Sequence, residues 1–296
     1  MLDSVMITVL TPTYNREKLL NRLAKSLFDQ TNYNFEWLII DDGSSDNTEK
    51  LINSLKQDSP FIIRYIFKEN GGKHTALNKG FKNAEGDWVL IVDSDDWLDL
   101  NCIETLSGHL KVLAKDIYAI SFNRISETGR VLGGLQNKNL TTYIERYENN
   151  ITGDRADLLK KSVVESFVFP VFPGEKFMAE SPLFIWFGKN FKTKFLNYNG
   201  YVCEYQSDGL SKKSVLNRHE SPKSTLYVYS TQYNSFKKVT LRIRAAINWW
   251  RFRIAKQVNP DELSRRPPVV YSSIGFVLLL LDLINYGVLV VTGRRK

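Results

Sequence analysis

Cysteine is scarce in this chain of 296 residues: there are two, Cys102 and Cys203, and their spacing fits neither a metal-binding nor a redox pair. Both read as packing residues, and a reduced compartment is the simple expectation. The first ten residues lack a basic region, and the apolar run Val5 to Leu10 is too short for a secretory signal, so this part of the chain is expected in the cytosol. Internal repeats and low-complexity tracts are missing too. Net charge is nearly absent from the first 235 residues. The formal +8 comes from the end, where twelve Lys and Arg from Phe236 onward face three acids, Asp261, Glu262 and Asp282. A basic excess confined to one segment points to a local polyanionic partner such as anionic lipid or nucleic acid.

What is present is enough apolar sequence, 43%, for one large α/β domain or a domain with a helical extension. Short apolar runs at Val5 to Leu10, Trp37 to Ile40, Ile62 to Phe67 and Trp88 to Val92 read as strands. Between them lie helical stretches. Leu19, Leu20, Leu23 and Leu27 recur at helical spacing within Glu17 to Gln30; Asp46 and Glu49 have the spacing of a capping box before Leu51, Ile52 and Leu55; a third helix runs from about His74 to Asn83. Such alternation predicts a mostly parallel sheet covered by helices on both faces. The divisions expected are 1–115 as the first half of that domain, 116–215 as a second lobe with looser short strands, and 216–296 as basic and apolar helices.

Ligands of parallel sheets bind at the carboxyl ends of the strands, and here those ends are polar: Thr11 to Arg16, Asp41 to Thr48, and Asp93 to Asp96. Asp93, Asp95 and Asp96 repel one another unless a cation or donors lie near, and Asp-Ser-Asp spacing suits Mg2+ or Mn2+, which take one or two carboxylates with phosphate oxygens and water. The alternative is a solvated acidic turn that caps the next helix. Asp41 and Asp42 could accept from a base imide or ribose hydroxyls, or cap a helix with Ser44 and Ser45. Tyr14 could stack on a base or simply pack. Gly71, Gly72 and Lys73, before a helix start, offer backbone donors and a cation to a diphosphate. His74 beside them reads as a solvated or capping residue.

In this order, Thr11-Pro12-Thr13-Tyr14-Asn15-Arg16, Asp41-Asp42-Gly43-Ser44, Gly71-Gly72-Lys73 with Asn78-Lys79-Gly80, and Asp93-Ser94-Asp95-Asp96 resemble the family 2 glycosyltransferases of GT-A fold, over about residues 5–115. The resemblance implies inverting transfer of a hexosyl or N-acetylhexosaminyl group from a nucleotide diphosphate, usually of uridine, to a glycan or lipid acceptor in surface polysaccharide synthesis. Asp42 and the Thr11, Pro12, Thr13, Tyr14 turn would hold the nucleoside with help from Asp41. Asp95 would be the principal ligand of Mn2+ or Mg2+, with Asp93 and Asp96 on ribose, water or metal, and Lys73 near the diphosphate. The family's Glu-Asp pair matches Glu180-Ser181, which makes Glu180 the candidate base and Glu175 its rival; a helix N-terminal acid is the plain alternative for both. Glu204 to Ser211 resembles the loop that closes over the donor.

From Phe236 to Gln257, Val239, Ile243, Ala246, Ile247, Trp250 and Ile254 share a helical face, with Lys237, Arg244 and Arg251 elsewhere. This reads as a basic amphipathic helix for the lipid interface, or as one packed on the protein with its arginines in water. Val269 to Gly293 holds one charge, Asp282, and reads as an in-plane or re-entrant helix. A simple span would export Arg294, Arg295 and Lys296. The expectation is an enzyme at the cytoplasmic face of the cell membrane, peripheral or monotopic, which docks on anionic lipid and not on nucleic acid. A sugar nucleotidyltransferase would carry a Gly- and Arg-rich loop after strand one, where this chain has TPTYNR; a silent nucleotide-sugar-binding protein would not need the carboxylates.

Overall fold

A computed structural model describes residues 6–133, 142–149, 151, 153–204, 213–256 and 266–286. The chain forms two compact units, Met1–Val168 with Asn190–Gln206, and Phe169–Lys189 with Ser207–Lys296.

The first unit contains every strand described. It begins β1 (Ile7–Thr13), α1 (Glu17–Phe28), β2 (Phe35–Asp41), α2 (Thr48–Leu55), β3 (Ile62–Phe67), α3 (Lys73–Asn83) and β4 (Trp88–Ile91). There follow β5 (Trp97–Leu98), α4 (Cys102–Lys111), β6 (Ile117–Ser126), α5 (Tyr143–Glu148), β7 (Arg155–Lys160), α6 (Lys161–Val164), β8 (Lys192–Phe195) and β9 (Tyr201–Cys203). The sheet order is β3-β2-β1-β4-β7-β6-β9-β5, with β8 also on β6. Its first four strands are parallel, as the alternating pattern requires, but β7 runs antiparallel to both β4 and β6, so the sheet is mixed.

Register sets the polar edge. Thr13 pairs with Asp41 and Asp41 with Phe67, while Leu10 pairs with Ile91, so β1, β2 and β4 end side by side. Thr11, Pro12 and Thr13, expected in a turn, are instead the last residues of β1. Proline is tolerated there because the bond from the Val92 amide to the Leu10 carbonyl is where the ladder toward β4 closes, and Pro12, next on that side, has no rung to remove. The capping box expected at Asp46 and Glu49 does not form. Asn47 stands at the N-cap without a side-chain bond, and Asp46 instead accepts from Thr48 N (3.1 Å) and Oγ1 (2.6 Å) and from Glu17 N (3.1 Å), tying the starts of α1 and α2 together.

Beneath the sheet lies an apolar core of Leu20, Leu23, Leu27, Trp37, Ile39, Leu90, Leu106, Phe122 and Leu158. Cys102 and Cys203 are both buried, free thiols within it. A buried carboxylate lies on the opposite face of β2, where Glu36 alternates with Phe35 and Trp37 of that core. Glu36 accepts from Thr8 Oγ1 (2.6 Å), Glu85 N (2.6 Å) and Arg64 Nη1 (3.0 Å), and the Gly86 amide in turn donates to Thr8 Oγ1 (2.9 Å), which fixes the entry of β4.

The second unit is helical: α7 (Ser181–Asn190), α8 (Ser214–Glu220), α9 (Pro222–Ser235), α10 (Val239–Lys256) and, after a 3-10 turn at Val269–Tyr271, α11 (Ser272–Tyr286). The tryptophans expected at a lipid interface are core residues. Trp249 and Trp250 pack with Leu226 and Phe252, and Trp250 Nε1 donates to Pro268 O (2.9 Å). Of the apolar face expected on this helix, Val239 is exposed while Ala246 and Trp250 are buried; Ala245, Ala246 and Phe252 take the inward positions because the small residues let neighbouring helices approach. Asp282 is buried against Arg251 Nε (2.6 Å) and His219 Nε2 (2.9 Å). Among the described residues no helix is long and apolar enough to cross a membrane. Residues 205–211 of the expected closing loop, and 287–293 of the apolar stretch, lie outside the described residues.

Candidate active site

The acidic turn after β4 is built around Tyr201 and Arg124. The Tyr201 hydroxyl donates to Asp96 Oδ2 (2.8 Å) and accepts from the Asp93 amide (2.9 Å), while the Glu204 amide reaches Asp96 Oδ1 (3.3 Å). The Arg124 guanidinium lies 4.2 Å from the Tyr201 ring centroid, 3.6 Å from Asp93 and 3.8 Å from Asp96. Lys73 closes on Asp93 at 2.5 Å. Arg22, stacked 3.9 Å from the centre of Trp97, donates to the Asp95 carbonyl (2.8 Å) and pairs with Glu204 and Glu127, which pins the backbone of the turn.

These surroundings divide the three carboxyls. Burial raises Asp93, but Lys73 and Arg124 outweigh it and hold the group below the ordinary range. Burial and the charge on Asp93 push Asp95 up. The same two causes take Asp96 to about 7, against the opposing effect of Arg124. Asp95 differs in one more respect: its carboxylate takes no donor from any other of the described residues.

The neighbouring strand ends are joined by Asp42. Its Oδ1 accepts from Lys68 Nζ (2.5 Å) and Gly71 N (3.0 Å), its Oδ2 from Gly72 N (2.7 Å), and its own amide donates to Thr13 O (2.8 Å). The amides of Gly71 and Gly72, expected to face a diphosphate, thus serve Asp42, because a buried carboxylate left without donors is costly. Gly72 reaches it at φ +92°, a backbone that only glycine adopts readily, and caps α3 there. Asp41 Oδ1 accepts from Ser44 N (2.7 Å) and Oδ2 from Tyr65 OH (2.7 Å), so its carboxylate shapes the turn. Asn15, at φ +51°, receives Ser45 N (2.8 Å) on Oδ1 and donates from its amide to Ser44 Oγ (2.8 Å), locking the β1 and β2 turns together.

Thr11 Oγ1 is held by Trp37 Nε1 (3.0 Å), a structural partner. Thr13 Oγ1 is buried with no partner among the described residues, and Tyr14 beside it is half exposed, its ring available at the edge. His74, expected in solvent, is buried on the inner side of α3; burial lowers its pKa, with Lys68 adding to the effect and Asp42 opposing it.

Asp42, Thr13, Lys73 and the acidic turn are therefore brought together at one sheet edge. Arg124, Tyr201, Lys68 and Arg22 belong with them and were missed from sequence. Each is a lone residue, supplied by β6, by β9, by the residue after β3 and by α1, and none lies in a motif. Glu175 and Glu180 fall in the second unit. Glu175 is occupied there, accepting the Lys223 (2.8 Å) and Ser224 (2.7 Å) amides at the start of α9. Glu180 immediately precedes α7, its carbonyl accepting from Leu183 N (3.0 Å).

A divalent ion taking one or two carboxylates plus phosphate oxygens and water fits Asp95, with Asp93 beside it. Asp96 is tied to Tyr201 and the Glu204 amide. Among the described residues no three His, Cys, Asp or Glu side chains converge into a metal cage.

The sequence of residues 8–169 matches the model of the family described as glycosyl transferase family 2. Glycosyltransferase GlyA of Streptococcus pneumoniae is 34% identical over 128 residues, 43% of this chain and 18% of that protein. The match thus spans less than a fifth of GlyA. Among solved structures, Staphylococcus aureus TarS 1–349 in complex with UDP-GlcNAc aligns with a TM-score of 0.64 at 17% identity, covering 94% of this chain and 80% of that one. Mannosyltransferase PcManGT of Pyrobaculum calidifontis, in complex with GDP-Man and Mn2+, aligns at 0.56 and 16% identity over 94% and 75%. At such identities the likeness is one of fold.

Proposed function

The chain belongs to glycosyl transferase family 2, and on that premise we propose that it moves a hexosyl or N-acetylhexosaminyl group from a nucleotide diphosphate to a hydroxyl of a membrane-linked glycan or lipid, inverting the anomeric carbon. Uridine is the nucleoside favoured, in keeping with the UDP-GlcNAc held by the structurally similar TarS. Asp42 offers the lone pairs that Lys68, Gly71 and Gly72 leave open to a base imide or ribose hydroxyl, with Thr13 Oγ1 as a further partner and the Tyr14 ring as a stacking surface. Asp41 positions the turn.

Lys73 leaves Asp93 for the diphosphate as the donor enters, one anion replacing another at the same ammonium. A bound Mn2+ or Mg2+, held by Asp95 and Asp93, would neutralise charge on the departing diphosphate. In the transfer the acceptor oxygen bonds to the anomeric carbon, the bond from that carbon to the diphosphate oxygen breaks, and the hydroxyl proton passes to a base. Glu180 is the base we assign, as the family resemblance of its sequence position implies, with Glu175, which accepts the α9 amides, as its rival. The enzyme works at the cytoplasmic face of a membrane, on a polyprenyl-linked acceptor of surface polysaccharide synthesis, and has no nucleic-acid partner.

What carries this reading is the Asp95 carboxylate, which takes no donor from any other of the described residues and stands beside a lysine-bound Asp93 at the edge where Asp42 and Thr13 also end. Thermal shift with UDP should show stabilisation that requires Mn2+ and is lost in Asp95→Ala, with sugar transfer reduced at least a hundredfold. Full transfer by Asp95→Ala, or transfer that survives chelation of metal, would overturn it.

A further inference from the structure

The helix α11 carries one charge, and that charge is turned inward. Asp282 is buried and held by Arg251 and His219, and Leu279 beside it is buried against Ile254. On the outward side Ile274, Val277, Leu281 and Ile284 recur at intervals of three and four and are 49%, 55%, 47% and 77% exposed; the preceding turn adds Val270 at 72%. The result is an uncharged apolar stripe running the length of the helix, larger than the scattered apolar residues of an ordinary soluble surface.

Cations border this stripe. A groove of about 440 Å³ between α10 and α11 is lined by Ile243, Arg244, Ile247, Arg251, Ile274 and Leu278. In the segment ahead of α11, the Arg266 guanidinium lies 4.7 Å from the centre of the Trp250 ring of α10 and close enough to Arg253 to add to the burial that lowers the pKa of Arg253. None of Arg244, Arg253 and Arg266 has a carboxylate partner among the described residues. Arg253 and Arg266, near each other without an acid, and Arg244, which lines the groove with Ile274 of the stripe, call for an external anion, and the charge-free apolar stripe calls for one attached to hydrocarbon.

We infer that the α10–α11 face docks on an anionic phospholipid bilayer, the stripe of Ile274, Val277, Leu281 and Ile284 entering between headgroups while Arg244, Arg253 and Arg266 meet lipid phosphates. With its one charge, Asp282, held inward by Arg251 and His219 and its apolar side chains exposed along the other side, α11 lies in the plane of the interface. The surface names the partner of the membrane-side part of the proposed function, and it is testable apart from sugar transfer.

The test is flotation of the full chain with phosphatidylglycerol–phosphatidylcholine vesicles and with phosphatidylcholine alone, beside thermal shift by UDP with Mn2+. Wild type should float with the anionic vesicles and lose most of that binding at high salt. The Val277→Asp/Ile284→Asp variant, altered at exposed positions, should bind at least tenfold more weakly, and Arg244→Ala/Arg266→Ala several-fold more weakly, both with the UDP shift of wild type. Undiminished flotation of Val277→Asp/Ile284→Asp overturns the inference. So does a wild type that floats with neither vesicle yet keeps its UDP shift, or a concentration-dependent dimer abolished by the same two substitutions, which would make a second copy the occupant. Flotation with the expected variant pattern but no UDP shift in any protein would sustain the surface and sink the donor reading instead.

Discussion

Tyr201 is the residue on which the charge pattern of the acidic turn rests, because one hydroxyl serves both Asp96 Oδ2 and the Asp93 amide. In Tyr201→Phe both groups are left unsatisfied in a buried place, at a cost of about 1–3 kcal/mol. Denaturant unfolding should show that loss, and the UDP shift with Mn2+ should shrink with it. A variant as stable as wild type would mean that water replaces the phenol. His74 yields a pH test. The unfolded chain binds a proton near pH 6.5, while the buried imidazole takes it up only at lower pH. As pH falls from 6.5 toward the folded value the unfolded state therefore holds more protons, and stability decreases by at most about 1.4 kcal/mol per pH unit. His74→Gln should flatten the urea midpoints between pH 7.5 and 5.5; an unchanged slope would place the titration elsewhere. Both residues show what sequence conveys at this scale. Asp42 and the acidic turn were legible because each follows an apolar run closely, and Lys73 because two glycines precede it at a helix start. Tyr201 and Arg124 reach the same place from strands whose pairing no local pattern announces, and the inward aim of His74 depends on what α3 packs against.

At the scale of elements, β1 to β4 and their helices were legible because each is a local apolar run with a period, and Ile62–Phe67 coincides with its expected bounds. The misses were of ends and faces. Proline and threonine signal a turn, yet β1 continues through Pro12 because its partner strand continues beside it. On α10 the helical period was visible, but alanines and tryptophans decide the packed face by how closely α9 and α11 approach. Glu36 illustrates the limit: a lone acid within an apolar strand reads as an interruption, whereas it is the joint among β1, β2, β3 and the turn before β4. Glu36→Gln removes the charge opposite Arg64 and reverses one acceptor into a donor facing the Thr8 hydroxyl or the Glu85 amide. Breaking such a buried pair costs about 3–5 kcal/mol, and Arg64, its side chain 27% exposed, argues for the lower end. Equilibrium unfolding in urea should show the midpoint falling with the slope unchanged; a loss under about 1 kcal/mol would mean that the amide is accommodated.

For the molecule as a whole, the order of strands matters more than their number. The parallel half, β3-β2-β1-β4, is assembled from consecutive segments, but β7 enters between β4 and β6, and β9 joins β5 to β6 only after the chain has passed through 169–189 of the second unit. Pairings of that sequence separation carry no local signature, which is why residues 116–215 read only as loose short strands. The family match ends at residue 169, before β8 and β9. A fragment of residues 1–169 would therefore leave β6 without either strand along that side and the acidic turn without Tyr201 and the Glu204 amide. An uncovered central strand is an invitation to aggregate, and the fully buried Tyr201 and its neighbours supply a share of the core that a domain of about 5–15 kcal/mol total stability can hardly lose. The fragment should be insoluble or molten by near-ultraviolet circular dichroism and show no UDP-dependent shift with Mn2+, whereas the full chain shows both a cooperative melt and the shift. A soluble, cooperatively melting 1–169 that binds UDP as the full chain does would mean that β1 to β7 suffice, and that the acidic turn is organised without the strand that now holds it.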